Sequence, residues 1–261
     1  LDKDINWDTA NFIIKLSGMI VNPTKTLNIL GSNSQLMTSS MDYVIDVKGN
    51  LNVDSYITIR EGKVGSVCVS EDGILNMTDG MIMWSEQVGV YLKDNGQANI
   101  YGGIVSSDGI AVSINNNSKL IIGRETDELS DTTPKVEGDT IGVSVQDSGS
   151  YSFYNGMISG VTDPYNKEPN VLRNGYEVKI NEESAGPEKP TYKVARLEEK
   201  TTFNSEDISK NAEEFYGKEV SGYECGNGEG VNAWKIFYAD EENIYLIADD
   251  YISKDYCPGS E

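Results

Sequence analysis

Short strings of alternating apolar and polar residues recur along the first two thirds of the chain, each ending in a small polar cluster. TLNIL from Thr26, NLNVD from Asn50, ILNMT from Ile74 and QANIY from Gln97 superpose, with Asn28, Asn52, Asn76 and Asn99 equivalent at intervals of 24, 24 and 23 residues. A step of 22 then reaches Ile121 in KLIIG, and a longer step of 31 reaches Ser152 in SYSFY. Period-2 alternation of this length marks a strand with one buried face. A second set of strands holds Ile45 and Val47, Val67 and Val69, Val90 and Leu92, Val112 and Ile114, and Val143 and Val145, at intervals of 22, 23, 22 and 31. Each leads into KGN, SEDG, KDNG, NNNS or QDSG, residues that accept tight turns and positive φ. A third set carries DGMI from Asp79, GGIV from Gly102 and NGMI from Asn155.

Three strands and three corners per period predict a mainly β chain: a right-handed parallel β-helix of about six coils of 22 to 24 residues, from about residue 25 to 160, followed by a small α+β module. A leucine-rich helical repeat of ~20 to 29 residues is the rival. It fails because LxxLxLxxN spacing is absent and Gly and Asn recur where a helix is penalised. In the β-helix, Leu51, Val53, Leu75, Met77, Ala98 and Ile100 point inward, and Asn52, Asn76 and Asn99 point outward as a ladder up one face. That ladder reads either as a binding surface for a repeating polymer or as amides paired with one another and with water. Cys68 and Tyr91 are expected outward on another strand, where Tyr91 offers a ring for a sugar to stack on.

The interval of 31 comes from an insertion between Ile122 and Val136 that carries Glu125, Asp127, Glu128 and Asp131, with Arg124 and Lys135 at its edges. Insertions in solenoids map to loops on one face, often a binding face. Asp127, Glu128 and Asp131 are therefore candidate binding residues. They read as carboxylate ligands for Ca2+, as an acid pair for glycoside hydrolysis, or as a solvated acidic loop. Neither DxDxDG nor GGxGxD spacing is present.

Residues 1–181 read as the β-helix with an N-terminal lead-in segment and an irregular C-terminal tail. Residues 182–203, beginning EESAGPEKPT, read as a linker and a short strand. Residues 204–261 read as the α+β module, with a helix capped by Ser205 and a hairpin of strands at 233–238 and 244–248. Asp249 and Asp250 either end strand pairing or ligate a cation. Cys225 and Cys257 are either a disulfide or two free thiols. The opening at Leu1, without a signal-peptide pattern, reads as a fragment of something longer.

Composition narrows the chemistry. Acids outnumber bases 42 to 21, a net charge of -21, so a phosphate backbone is repelled and nucleic acid is excluded as a partner. No apolar run approaches the ~18 to 20 residues of a membrane span. The chain has 0 histidines, which removes Ser-His-Asp triads, His-ligated zinc and imidazole acid-base catalysis. Aligned outward positions offer Asn, Ser, Thr, Tyr and Gly rather than stacked carboxylates, so no catalytic residue and no metal ligand is assigned.

The recurring G-x-L/A-x-I/M and GGI/DGMI grammar of residues 49–160, the closing SYSFYNGMISG, and EFYGKEVSGYECG with VNAWKIFYADEENIYLIADDYI carry a likeness. Over roughly three quarters of its length the chain resembles the surface-exposed right-handed β-helix proteins of Gram-positive, gut-type bacteria. The resemblance implies a secreted or wall-attached display rod and supplies no catalytic residues. The expectation is a non-catalytic, adhesin-like or spacer protein, monomeric and without a cofactor, whose partner is a glycan or a protein of a host or neighbouring cell. A polysaccharide lyase or glycoside hydrolase working on a sheet face is the alternative. A phage fibre or tailspike segment, which would be trimeric, is the second.

Overall fold

A computed structural model describes residues 1–9, 11–31, 33–38, 40–184, 186, 190–199, 212–220, 234–240 and 243–248. The chain divides into two units, Leu1–Glu199 and Lys200–Glu261.

The first unit is a parallel β-solenoid of seven coils, in which each coil sends one strand to each of three sheets. The fourth coil is representative: Ile74–Met77 lies in the first sheet, Met81–Met83 in the second and Val88–Leu92 in the third. Leu75 pairs in parallel with Leu51 of the coil before and Ala98 of the coil after, and Asn76 with Asn52 and Asn99. Alternation then does the rest: Leu27, Leu51, Leu75, Ala98, Leu120 and Tyr151 form one fully buried column, and Ile29, Val53, Met77, Ile100, Ile122 and Phe153 another. The corners that lead from the third sheet to the first are built as their composition requires. Glu71 and Asp72, Asp94 and Asn95, and Asn116 and Asn117 all have φ between 47° and 66°, the left-handed region that short polar side chains tolerate best.

The solenoid has seven coils where about six were expected, because the lead-in segment is itself a coil. Its strands are Ile5–Asp8, Ile13–Lys15 and Met19–Val21, paired in parallel with the next coil. Its apolar residues Ile5, Trp7, Ile14, Leu16 and Met19 cover the core from one side and are only partly buried, which blurs the in-out pattern.

The other end is closed. The Asn166 side chain accepts from the Val145 N–H at 2.8 Å and donates to its carbonyl at 3.1 Å, and the Asn170 side chain accepts from the Tyr151 N–H at 3.0 Å. The residues read as tail, linker and short strand form a hairpin, Tyr176–Ser184 with Thr191–Glu199, which joins the second sheet antiparallel to Met157–Gly160. The two units divide after Glu199, so most of the stretch read as a linker and short strand at 182–203 belongs with the first unit. EESAGPEKPT spans the end of one hairpin strand and the start of the other.

In the second unit the described residues form one helical turn, Ala212–Phe215, and a three-stranded antiparallel sheet of Glu219–Val220, Trp234–Ala239 and Ile244–Ala248. Ile236 and Ala239 are its buried centre, packed by Phe215, Ile244 and Leu246. The expected hairpin is present. Of the expected helix from Ser205, only Ala212–Phe215 is described as helical, and Ser205 itself lies outside the described residues. Among the described residues no helix is long and apolar enough to cross a membrane.

Candidate functional site

The outer face of the first sheet carries the amide ladder. Asn28 Nδ2 donates to Asn6 Oδ1 at 2.6 Å, Asn52 to Asn28 at 2.6 Å, Asn76 to Asn52 at 2.9 Å, and Asn99 to Asn76 at 2.8 Å. Gln97 Nε2 closes the series on Asn99 Oδ1 at 2.9 Å. Every asparagine donor points toward the preceding coil. Asn52 and Asn76 are half-buried and Asn99 is buried, so the amides bind one another along the face and keep one N–H and some acceptor capacity each. Asn6, whose coil was not recognised, is the rung that sequence reasoning missed; the INWD string repeats the Leu-Asn-Ile alternation with Ile5 for Leu27 and the larger Trp7 for Ile29.

On the third sheet Tyr91 is half-buried and stacks on Tyr43, with ring centroids 6.4 Å apart and planes 8° from parallel. Its hydroxyl accepts from Asn115 Nδ2 at 3.1 Å. The two rings come from alternate coils, and Gly65 of the coil between makes room for Tyr43. A Cβ at Gly65 would lie 2.7 Å from the Val88 carbonyl and 3.1 Å from Tyr43 Cε1. Cys68, in register with Tyr91 and expected to be exposed, is only 2% exposed. Burial, and then the charge of Asp46, push its thiol up to about 12. Burial likewise raises Tyr43 above the ordinary phenol range.

The insertion is tied down through its backbone. Arg173 Nη1 donates to the Asp127 carbonyl at 2.9 Å, Asn155 Nδ2 to the Glu128 carbonyl at 2.8 Å, and Arg196 Nε to the Asp131 carbonyl at 3.0 Å. Arg124 lies over the Tyr101 ring at 4.1 Å. The side chains of Glu128 and Asp131 are exposed and that of Asp127 is half-buried. Among the described residues no group of three or more Asp, Glu, Cys or His is placed to hold a metal ion. Cys225, Cys257, Asp249 and Asp250 lie outside the described residues.

A third surface, on the second unit, was not singled out from the sequence. The strands Trp234–Ala239 and Ile244–Ala248 pair with a bulge between Ile236 and Tyr238. The extra residue puts Phe237 and Tyr238 in succession on the exposed side, at 67% and 47%, where strict alternation would bury one of them. Tyr238 lies opposite Tyr245, with ring centroids 5.5 Å apart, and Tyr216 adds a third ring 6.4 Å from Tyr238. Tyr245 Oη donates to Asp240 Oδ2 at 3.2 Å, an interaction that raises the phenol above its ordinary range.

No family model matches the chain, and neither a curated protein nor a solved structure matches it.

Proposed function

We propose that the chain is a non-catalytic display or spacer protein, secreted or wall-attached, whose solenoid holds a binding surface away from its point of attachment. The observation that supports this reading is the amide ladder: polar side chains on that face serve to lock coil to coil, the role in which stacked amides stabilise register. Ion pairs on the same rod, Lys48 with Glu71 at 2.5 Å and Lys135 with Glu137 at 2.7 Å, likewise join side chains to each other. The resemblance to surface β-helix proteins points the same way, and the partner it suggests is a glycan or a protein of another cell.

The test is a depolymerisation screen of the full chain, with and without added calcium, against acidic and neutral polysaccharides, read by product size. Intact polymers are expected; chain shortening would overturn the reading in favour of a lyase or hydrolase. Light scattering at the mass of one chain is expected, and a threefold mass would favour a fibre segment. Protease treatment of intact producing cells should release peptides of this chain.

A further inference from the structure

We propose that the tyrosine face of the second unit binds a neutral saccharide chain. This deepens the binding reading above by naming a surface and a ligand class.

The face is built rather than incidental. Ile236 and Ala239 keep the strand anchored in the unit's core while the bulge turns Phe237 and Tyr238 outward together. Tyr238, Tyr245 and Tyr216 then form a run of three rings, each between 41% and 47% exposed, with centroids 5.5 and 6.4 Å apart and planes inclined by 41° and 31°. Contiguous aromatic exposure of this kind marks an interaction surface, whereas scattered single residues do not. The ring faces carry the negative side of the aromatic quadrupole, and the C–H face of a pyranose is apolar with a slight positive polarity, so the two stack.

The rim selects among apolar partners. Asp240 Oδ1 accepts from the Asn243 N–H at 2.7 Å and Oδ2 accepts from the Tyr245 hydroxyl, which fixes a carboxylate, an amide and a phenol along one edge of the rings. With those donors turned onto Asp240, the carboxylate and phenol oxygens of the edge keep lone pairs that accept from sugar hydroxyls, and a purely hydrocarbon partner would strand them. Charge then decides the class of sugar: with a carboxylate at the rim and a chain of net charge -21, a polyuronate is repelled and a neutral glycan is not. Three rings in a run exceed the footprint of one sugar ring, which makes the ligand a chain.

The full chain should be titrated by calorimetry with cellohexaose and xylohexaose, and with oligogalacturonate as the charged counterpart. Binding of a neutral oligomer is expected, weakened about tenfold by Tyr238→Ala and changed less than about twofold by Tyr238→Phe, which keeps the ring. Because Tyr238→Ala also removes a cross-strand pair, Tyr216→Ala, outside the two paired strands, gives an independent reading and should weaken binding in the same direction. Four results would overturn the proposal: no neutral oligomer bound, binding unchanged by both alanine variants, oligogalacturonate bound in preference, or a doubled mass showing a second copy seated on the face. Failure of saccharide binding leaves the non-catalytic rod standing, and chain shortening in the depolymerisation screen overturns that rod without touching this surface.

Discussion

The side-chain oxygen of Asn155 accepts the backbone N–H of Ser130 at 2.6 Å, so one buried amide from the seventh coil holds the insertion that leaves the sixth. Its Nδ2 reaches the Glu128 carbonyl at the same time. Asn155→Ala leaves both backbone groups of the loop without this partner, and a cost of about 1 to 3 kcal/mol is expected, together with new proteolytic cuts between residues 125 and 132. Denaturant unfolding and limited proteolysis read the two effects. A variant as stable and as protease-resistant as the parent would show that the loop holds itself.

The ladder should be strongest in its interior. Asn76→Ala breaks two amide hydrogen bonds and Asn6→Ala breaks one. At about 1 kcal/mol for each net hydrogen bond, the interior change should lower stability by roughly twice the terminal one. Denaturation midpoints of both variants equal to the parent's would show that the ladder adds nothing to stability.

Val90 is fully buried in a column between Val67 and Val112. Val90→Asp places an unpaired charge in that column, and loss of the cooperative melt is the expected outcome by circular dichroism. A parent-like melt would contradict the pairing of Val90 with Val67 and Val112.

Alkaline pH should weaken the solenoid. The Cys68 thiol, at about 12 in the folded chain, starts from an ordinary value of 9.0, so above pH 9 the unfolded chain gives up this proton before the folded one does. The stability tied to the buried thiol is complete below pH 9 and is lost as pH rises toward 12. Half-buried Tyr43 and buried Tyr151 are raised in the same direction. Cys68→Ala should therefore flatten part of the decline in melting temperature above pH 9. At about pH 8, peptide mapping after thiol labelling should find Cys68 unmodified until denaturant is added. Rapid labelling of the folded chain would contradict the burial of Cys68.

What was legible in the sequence was whatever repeats with both neighbours present. Interior coils have a partner above and below, so Leu51, Leu75 and Ala98 are buried without exception and alternation is clean. The end coils obey other demands. Trp7 stands where Ile29 and Val53 stand one and two coils on, a wide and only partly buried aromatic in place of branched aliphatic residues. At the other end, EESAGPEKPT reads as a linker from its composition, yet Glu182, Glu183, Ser184 and Thr191 are paired residues of two hairpin strands. The positive-φ corners were readable from Asp, Asn and Gly, since conformation there is decided locally. Cys68 and the second unit's tyrosines were not: one lies in register with Asp46 and Tyr91 of the neighbouring coils and is buried among residues far from it in sequence, and the other depends on a single bulge that alternation does not announce.

The coil geometry also sets how the chain answers force. A coil without the insertion takes 22 to 24 residues to advance one strand spacing, ~4.8 Å, and the same residues drawn straight reach about 75 Å. The hydrogen bonds from coil to coil run along the axis of stacking, so tension between the solenoid's ends loads successive interfaces in series. An end coil peels first and releases roughly 70 Å of slack before its neighbour bears the load. Under pull, the solenoid lengthens in discrete steps, one rung of the ladder at a time.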